Sequence, residues 1–92
     1  MKYKNYDVYL QYKKYYNGRV CIQLTHAHDH DPVAIATVNL PDDELGEGEV
    51  FIKNYSENEG MLEWLEKNGI VERTGRVVPS GYVTIPVCRL LK

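Results

Sequence analysis

Three histidines at alternate positions, His26, His28 and His30, stand interleaved with Asp29 and Asp31 and form the densest set of reactive side chains in this 92-residue chain. In an extended strand alternate side chains share a face, and neutral imidazole beside carboxylate is a donor set that suits zinc or nickel. A working metal centre also needs ligands from distant parts of the chain, and all three histidines fall inside this one five-residue window. The segment T-H-A-H-D-H-D-P (25–32) therefore reads as a polar turn in which His26 ends a strand, and no metal site is assigned.

Nucleophilic chemistry has no better footing. A reactive thiol needs a helix N-terminus or a cationic neighbour to lower its pKa, whereas Cys21 and Cys88 lie far apart, each in a strand-like run. They read as reduced core thiols of a cytosolic protein and not as a disulfide. Ser80 belongs to the turn Pro79-Ser80-Gly81, and Gly46-Glu47-Gly48 is flanked by acids that would repel phosphate. No catalytic residue and no cofactor is expected.

Binding chemistry is better represented. Tyrosines 3, 6, 9, 12, 15 and 16 interleave with Lys2, Lys4, Lys13, Lys14 and Arg19, types that stack bases and hold phosphates in single-stranded nucleic-acid platforms. Tyrosine is also a good strand residue, and Tyr6 and Tyr12 share an apolar face with Val8 and Leu10. That leaves Tyr3, Tyr9, Tyr15 and Tyr16 for the surface. The opposite charge gathers at 42–66, where nine Asp or Glu stand against one Lys, while 1–24 holds five Lys or Arg against one Asp. Asp42, Asp43, Glu44, Glu47 and Glu49 in a loop, with Glu57 and Glu63 on a helix, could present carboxylates to a basic groove of a nuclease or another DNA-handling protein. A protein partner is thus the leading expectation.

The elements that must position these groups follow from periodicity. Ser56 and Glu59 have the spacing of a capping box, so a helix is expected from Ser56. Met61, Leu62 and Leu65 share its apolar face, with Trp64 at the edge, and Asn68-Gly69-Ile70 has the pattern of a Schellman stop. At about three turns such a helix needs a sheet to hold it. Strands are expected at Tyr6 to Tyr12, Arg19 to Thr25, Val33 to Leu40, Val50 to Asn54, Ile70 to Val78 and Tyr82 to Leu90. The first two should pair through a three-residue loop, Tyr16-Asn17-Gly18, because a two-residue Asn-Gly turn would set Tyr12 against Gln23 and mix the apolar faces. Val33 to Leu40, apolar on both sides with small alanines, should be the middle of the sheet beneath the helix. Leu45 is expected to pin the acidic loop to the body, and Pro86 should place the last strand at an edge. The result is one α+β domain over residues 1–92, with a single antiparallel-rich sheet, one helix packed on it and the order β-β-β-β-α-β-β.

Composition fits that frame. With 11 basic and 13 acidic side chains the chain carries no strong net field towards nucleic acid or lipid. Apolar runs stay well short of the roughly 18 residues of a membrane span, and no secretory segment follows Met1. A soluble cytoplasmic protein without a membrane partner is expected.

Several separated motifs, T-V-N-L at 37–40, L-E-K-N-G-I at 65–70, T-G-R at 74–76 and S-G-Y-V-T-I-P at 80–86, occur in the order seen in a family of small proteins of unknown function. That family is carried on conjugative elements, plasmids and phages of Gram-positive bacteria, and the N-G-x-x-x-I-Q-L pattern at 17–24 is similar to it more loosely. The resemblance implies an accessory protein of a mobile element, a setting in which inhibitors of host defence are common. It also raises a nucleotide-capturing pocket, for which Arg73, Arg76 and Tyr82 would be the cationic and aromatic contacts. The bland reading of Thr74-Gly75-Arg76 is a strand bend with exposed arginines. Self-association through an exposed strand edge is left open.

Overall fold

Face parity selects the register that the protein adopts. In the computed structural model, which describes residues 1–91, β2 (Tyr6–Lys14) and β3 (Val20–His26) pair with Leu10 opposite Leu24 and Tyr12 opposite Ile22. Tyr15 and Arg19 close this ladder around Tyr16-Asn17-Gly18, and Gly18 takes φ +85°, a left-handed conformation that costs glycine little. A two-residue strand, β1 (Lys2–Tyr3), lies outside β2, and β4 (Pro32–Ile35) lies outside β3, giving the sheet order β1-β2-β3-β4.

A second antiparallel sheet holds β5 (Glu49–Phe51), β6 (Val71–Ser80) and β7 (Val83–Leu90) in the order β5-β7-β6. The fold is thus broadly α+β, but the expected single sheet is two, and the expected strand Val33 to Leu40 ends at Ile35 as an edge and not as the centre. The cause is a change of partner at Ala36. Its N–H donates to Ile22 O at 2.8 Å in the first sheet, while its carbonyl accepts Lys53 N–H at 2.8 Å beside the second. In an unbroken ladder that carbonyl would have served Ile22 N–H. Thr37 Oγ1 serves it instead, at 3.2 Å. Beyond this point only an isolated bridge, Thr37 to Ile52, continues the pairing.

β7 is the central strand of its sheet, contrary to the edge position expected from Pro86. Ile85 and Val87 face one buried cluster with Phe51, while Cys88 faces the other, so burial on both sides outweighs one lost donor. Pro86 still accepts Ile52 N–H at 3.1 Å, so the pair gives up only the bond that proline cannot make. Next to β7 the expected bend in β6 is present. The register shifts between Arg73 and Val77, Gly75 has φ +89°, and Thr74 Oγ1 donates to Val87 O and accepts Arg76 N–H.

The helix is shorter than the capping box suggested. Ser56–Asn58 forms a single 3-10 turn, Gly60 takes φ +89°, and α1 runs only over Met61–Lys67. Ser56 sits at φ +55° and makes no side-chain cap. Asn54 Oδ1 caps the helix from outside by accepting Leu62 N–H at 2.8 Å, and buried Asn58 donates to Ile35 O at 2.6 Å, tying the 3-10 turn to β4. The C-terminal stop is as expected: Ile70 N–H bonds Leu65 O, Gly69 N–H bonds Glu66 O, and Gly69 has φ +69°. Met61, Leu62 and Leu65 are buried with Val8, Ile22 and Leu24 from the first sheet, Val50, Val71 and Cys88 from the second, and Ile52 just after β5. Helix and both sheets therefore share one core, and the helix neighbours β6 more than the alanine-bearing strand expected beneath it. Among the described residues no helix is long and apolar enough to cross a membrane.

Two substitutions test these local readings. In a continuous helix Gly60→Ala would stabilise by about 1 kcal/mol; at φ +89°, with open space around the added carbon, it is expected to destabilise by about 1–2 kcal/mol, read from urea unfolding followed by Trp64 fluorescence. Thr37→Val leaves the buried Ile22 N–H without its acceptor and is expected to cost about 1–3 kcal/mol, whereas Thr37→Ser keeps the oxygen and loses less. A valine variant as stable as the parent would remove Thr37 from the account of the sheet change.

Candidate functional site

Immediately after the change of sheets the chain enters the acidic loop, and two arginines hold it from behind. Arg19, at the start of the β3 arm, donates from Nη1 to Leu40 O at 2.7 Å and from Nη2 to Asp43 O at 2.6 Å, its guanidinium lying 5.8 Å from the Phe51 ring centre. Arg76, placed by the β6 bend, donates to Glu44 O at 3.0 Å and to Glu49 Oε1 at 3.3 Å. Glu49 folds back to accept Gly46 N–H at 2.7 Å. Leu45 packs on the Phe51, Ile85 and Val87 cluster, the anchoring expected of it. Two adjoining grooves, about 340 and 590 Å³, flank the loop and share Arg19, Leu45, Gly46 and Glu49.

Three of these four arginine bonds go to backbone carbonyls, and Glu49 is the one loop carboxylate that they engage. Asp42, Asp43, Glu44 and Glu47 have no ion pair among the described residues, and all but Asp43 are exposed. The other three acids singled out above are engaged internally. Glu49 pairs with Arg76, Glu57 with Lys53 at 2.7 Å and Glu63 with Arg73 at 3.8 Å. The Lys53 hydrogen bond holds the Glu57 carboxyl below the usual carboxylate range. The seven therefore divide into a free loop group and a bonded group.

Arg73 and Arg76, on either side of the β6 bend, and Tyr82, at the hairpin tip, are placed separately. Arg73 grips Glu66 at 3.0 and 3.2 Å, and that bond raises its guanidinium pKa. Arg76 is committed to the acidic loop. Tyr82 is fully exposed at the hairpin tip, about 13 Å of strand beyond Arg76.

The histidine turn does not present its rings in parallel. His30 N–H bonds His26 O, closing a tight turn, with His30 at φ +62°. Each ring then finds its own neighbour: His26 Nδ1 faces the His28 and Asp29 N–H groups, His28 lies 3.7 Å from Asp7, and His30 Nδ1 bonds Tyr9 OH at 3.0 Å. No group of three potential ligands is arranged for a metal among the described residues.

The tyrosines fall differently from expectation. Tyr3 is buried and Tyr15 half-buried with its hydroxyl on Thr37 Oγ1 at 3.0 Å, whereas Tyr6 and Tyr12 are exposed. Tyr3 enters the core because β1 folds back onto β2, and Tyr15 lies where the hairpin passes over Ala36 and Thr37. Of the four tyrosines assigned to the surface, only Tyr16 is fully outward, and Tyr9 and Tyr15 are half-buried. Arg19, which holds the loop, and Thr37, Asn54 and Asn58, which hold the fold behind it, carry no positioning signal in the sequence. A buried asparagine or a strand arginine signals nothing by itself until its backbone partners are known.

A family model described as "Domain of unknown function (DUF4313)" matches residues 7–90. The comparisons with curated proteins and with solved structures found no match.

The thiols are the remaining chemical candidates. Cys21 and Cys88 are free and buried. Burial first, and the Glu66 carboxylate second, push the Cys88 thiol up to about 11 against a smaller opposing pull from Arg73. A folded value above the unfolded one, about 8.5, leaves the thiol's stabilising contribution intact at neutral pH and removes it as pH rises towards 11. Tyr15, pushed up to about 12 mainly by burial, acts in the same direction at higher pH. Urea midpoints are expected to fall above about pH 9, less steeply for Cys88→Val, and a thiol reagent at about pH 8 should reach Cys88 only on unfolding. Labelling of native Cys88 at a free-thiol rate would contradict this assignment.

Proposed function

The chain belongs to the DUF4313 family, a domain of unknown function, and from that premise we propose that it is a non-enzymatic binding protein that offers its acidic loop to a basic surface of a protein partner. The observation that carries this reading is the mode of anchoring. Arg19 and Arg76 bond the carbonyls of Leu40, Asp43 and Glu44, so the loop is held in shape while the carboxylates of Asp42, Glu44 and Glu47 face water. A loop ordered before binding loses less entropy when it docks, and a cluster of one sign steers a partner of the other. A nuclease or another DNA-handling protein of the host has the required chemistry, since a surface built for phosphates is basic. Service to a plasmid, transposon or phage, as an inhibitor of host defence, is the part of the proposal that rests on the motif resemblance.

The test is a triple reversal, Asp42→Lys, Glu44→Lys and Glu47→Lys, chosen because none of these side chains holds the fold together. Affinity capture from a host lysate, repeated with purified partner, is expected to fall at least tenfold for the triple variant and to weaken with added salt. Equal capture by parent and variant would sink the acidic-loop mechanism. A salt-dependent affinity for single-stranded oligonucleotides, or a thermal shift with nucleotides, would replace it with nucleic-acid or nucleotide binding.

A further inference from the structure

The segment ahead of β2 is attached on unfavourable terms. β1 pairs through Lys2 with Asp7 and Tyr3 with Tyr6, leaving Lys4 and Asn5 as a two-residue turn. Lys4 opens that turn at φ +54°, a place usually held by glycine or asparagine because a side chain there is strained. Tyr3 is buried at 4% exposure in the main core, its ring edge-on to Trp64 at 5.3 Å. Its hydroxyl is the one buried side-chain polar atom among the described residues with no hydrogen-bond partner. Desolvating such a group without compensation is costly.

What holds the segment down is a short set of bonds. Trp64 Nε1 donates to Lys2 O, Lys4 Nζ donates to Glu57 O at 3.0 Å and lies 5.4 Å from the Tyr3 ring centre, and Met1 and Val8 exchange two bonds, Val8 N–H to Met1 O at 2.7 Å and the Met1 ammonium to Val8 O at 3.1 Å. The Lys2–Asp7 ion pair is exposed and contributes little. Tyr3 is the one residue of 1–5 in the main core cluster, whose other members, among them Val8, Ile22, Leu24, Leu65 and Ile52, come from later in the chain.

We propose that residues 1–5 form a releasable strap, which lifts from β2 and α1 while both sheets stay folded, and so uncovers Trp64 and the β2 edge at Val8. Opening exchanges the orphaned Tyr3 hydroxyl and the strained Lys4 for hydrated, relaxed chain, offsetting the tyrosine burial that is lost. The strap belongs to the low-stability end of the molecule, where local opening precedes global unfolding.

Native-state amide exchange, with Trp64 as the single tryptophan reporter, tests this. The Val8 amide is expected to exchange by local opening, at least tenfold faster than the buried amides of Ile22 and Ile52. Tyr3→Phe removes the unpartnered oxygen and should slow Val8 exchange about tenfold, with weaker acrylamide quenching of Trp64. Tyr3→Ala should leave Val8 unprotected and Trp64 readily quenched while Ile52 stays protected. Val8 exchanging only with the globally protected set, no slowing in Tyr3→Phe, or loss of Ile52 protection in Tyr3→Ala would each overturn the strap.

Discussion

The fold turns on the requirement that the backbone of one residue serve two sheets. At Ala36 the N–H stays with Ile22 in the first sheet and the carbonyl goes to Lys53 beside the second. This would orphan the Ile22 amide in a position of zero exposure, a loss that folding does not tolerate cheaply. Thr37 supplies the missing acceptor through its side chain, and the Tyr15 hydroxyl holds that side chain in turn. With the amide satisfied, the chain can leave the first sheet at Ile35, and the two sheets can close on a shared core with α1 at its side.

The placement of the acidic loop follows. The chain crosses from the first sheet towards the second at 36–38, so residues 41–49 lie beside both the start of β3 and the bend of β6, the two places from which Arg19 and Arg76 reach them. Guanidinium groups have a rigid fork of donors that can join carbonyls of separate residues. Here they hold Leu40, Asp43 and Glu44 by the backbone. These bonds fix the loop's shape, and Glu49 alone of its acids is ion-paired among the described residues. The grooves on either side are lined by both signs, with Lys14 and Arg19 facing Glu47 and Glu49.

Many side chains that look chemically active in the sequence are occupied with backbone or with one another. His26 receives the amides of its own turn, Asn54 and Asn58 substitute for missing helix and strand partners, and Gln11, Gln23 and Thr25 close a polar network on the outer face of β2 and β3. A chain of this size with two small sheets has many strand ends, and each end leaves donors and acceptors for side chains to satisfy. The carboxylates of Asp42, Glu44 and Glu47 stand out because they have no such duty among the described residues.

Face parity and local turn residues determined the β2–β3 register, the Gly18 loop, the Schellman stop at Gly69 and the apolar face of Met61, Leu62 and Leu65, and offered the bend at Thr74 to Arg76 as one of two readings, because each depends on neighbours close along the chain or on strict face parity. Tertiary structure alone decided the division into two sheets, the central position of β7 despite Pro86, the break at Gly60 and the burial of Tyr3. It also separated the acids into free and paired sets. Those outcomes depend on which distant groups compete for the same backbone amide or carboxylate, and a linear pattern of apolar and charged residues carries no record of that competition.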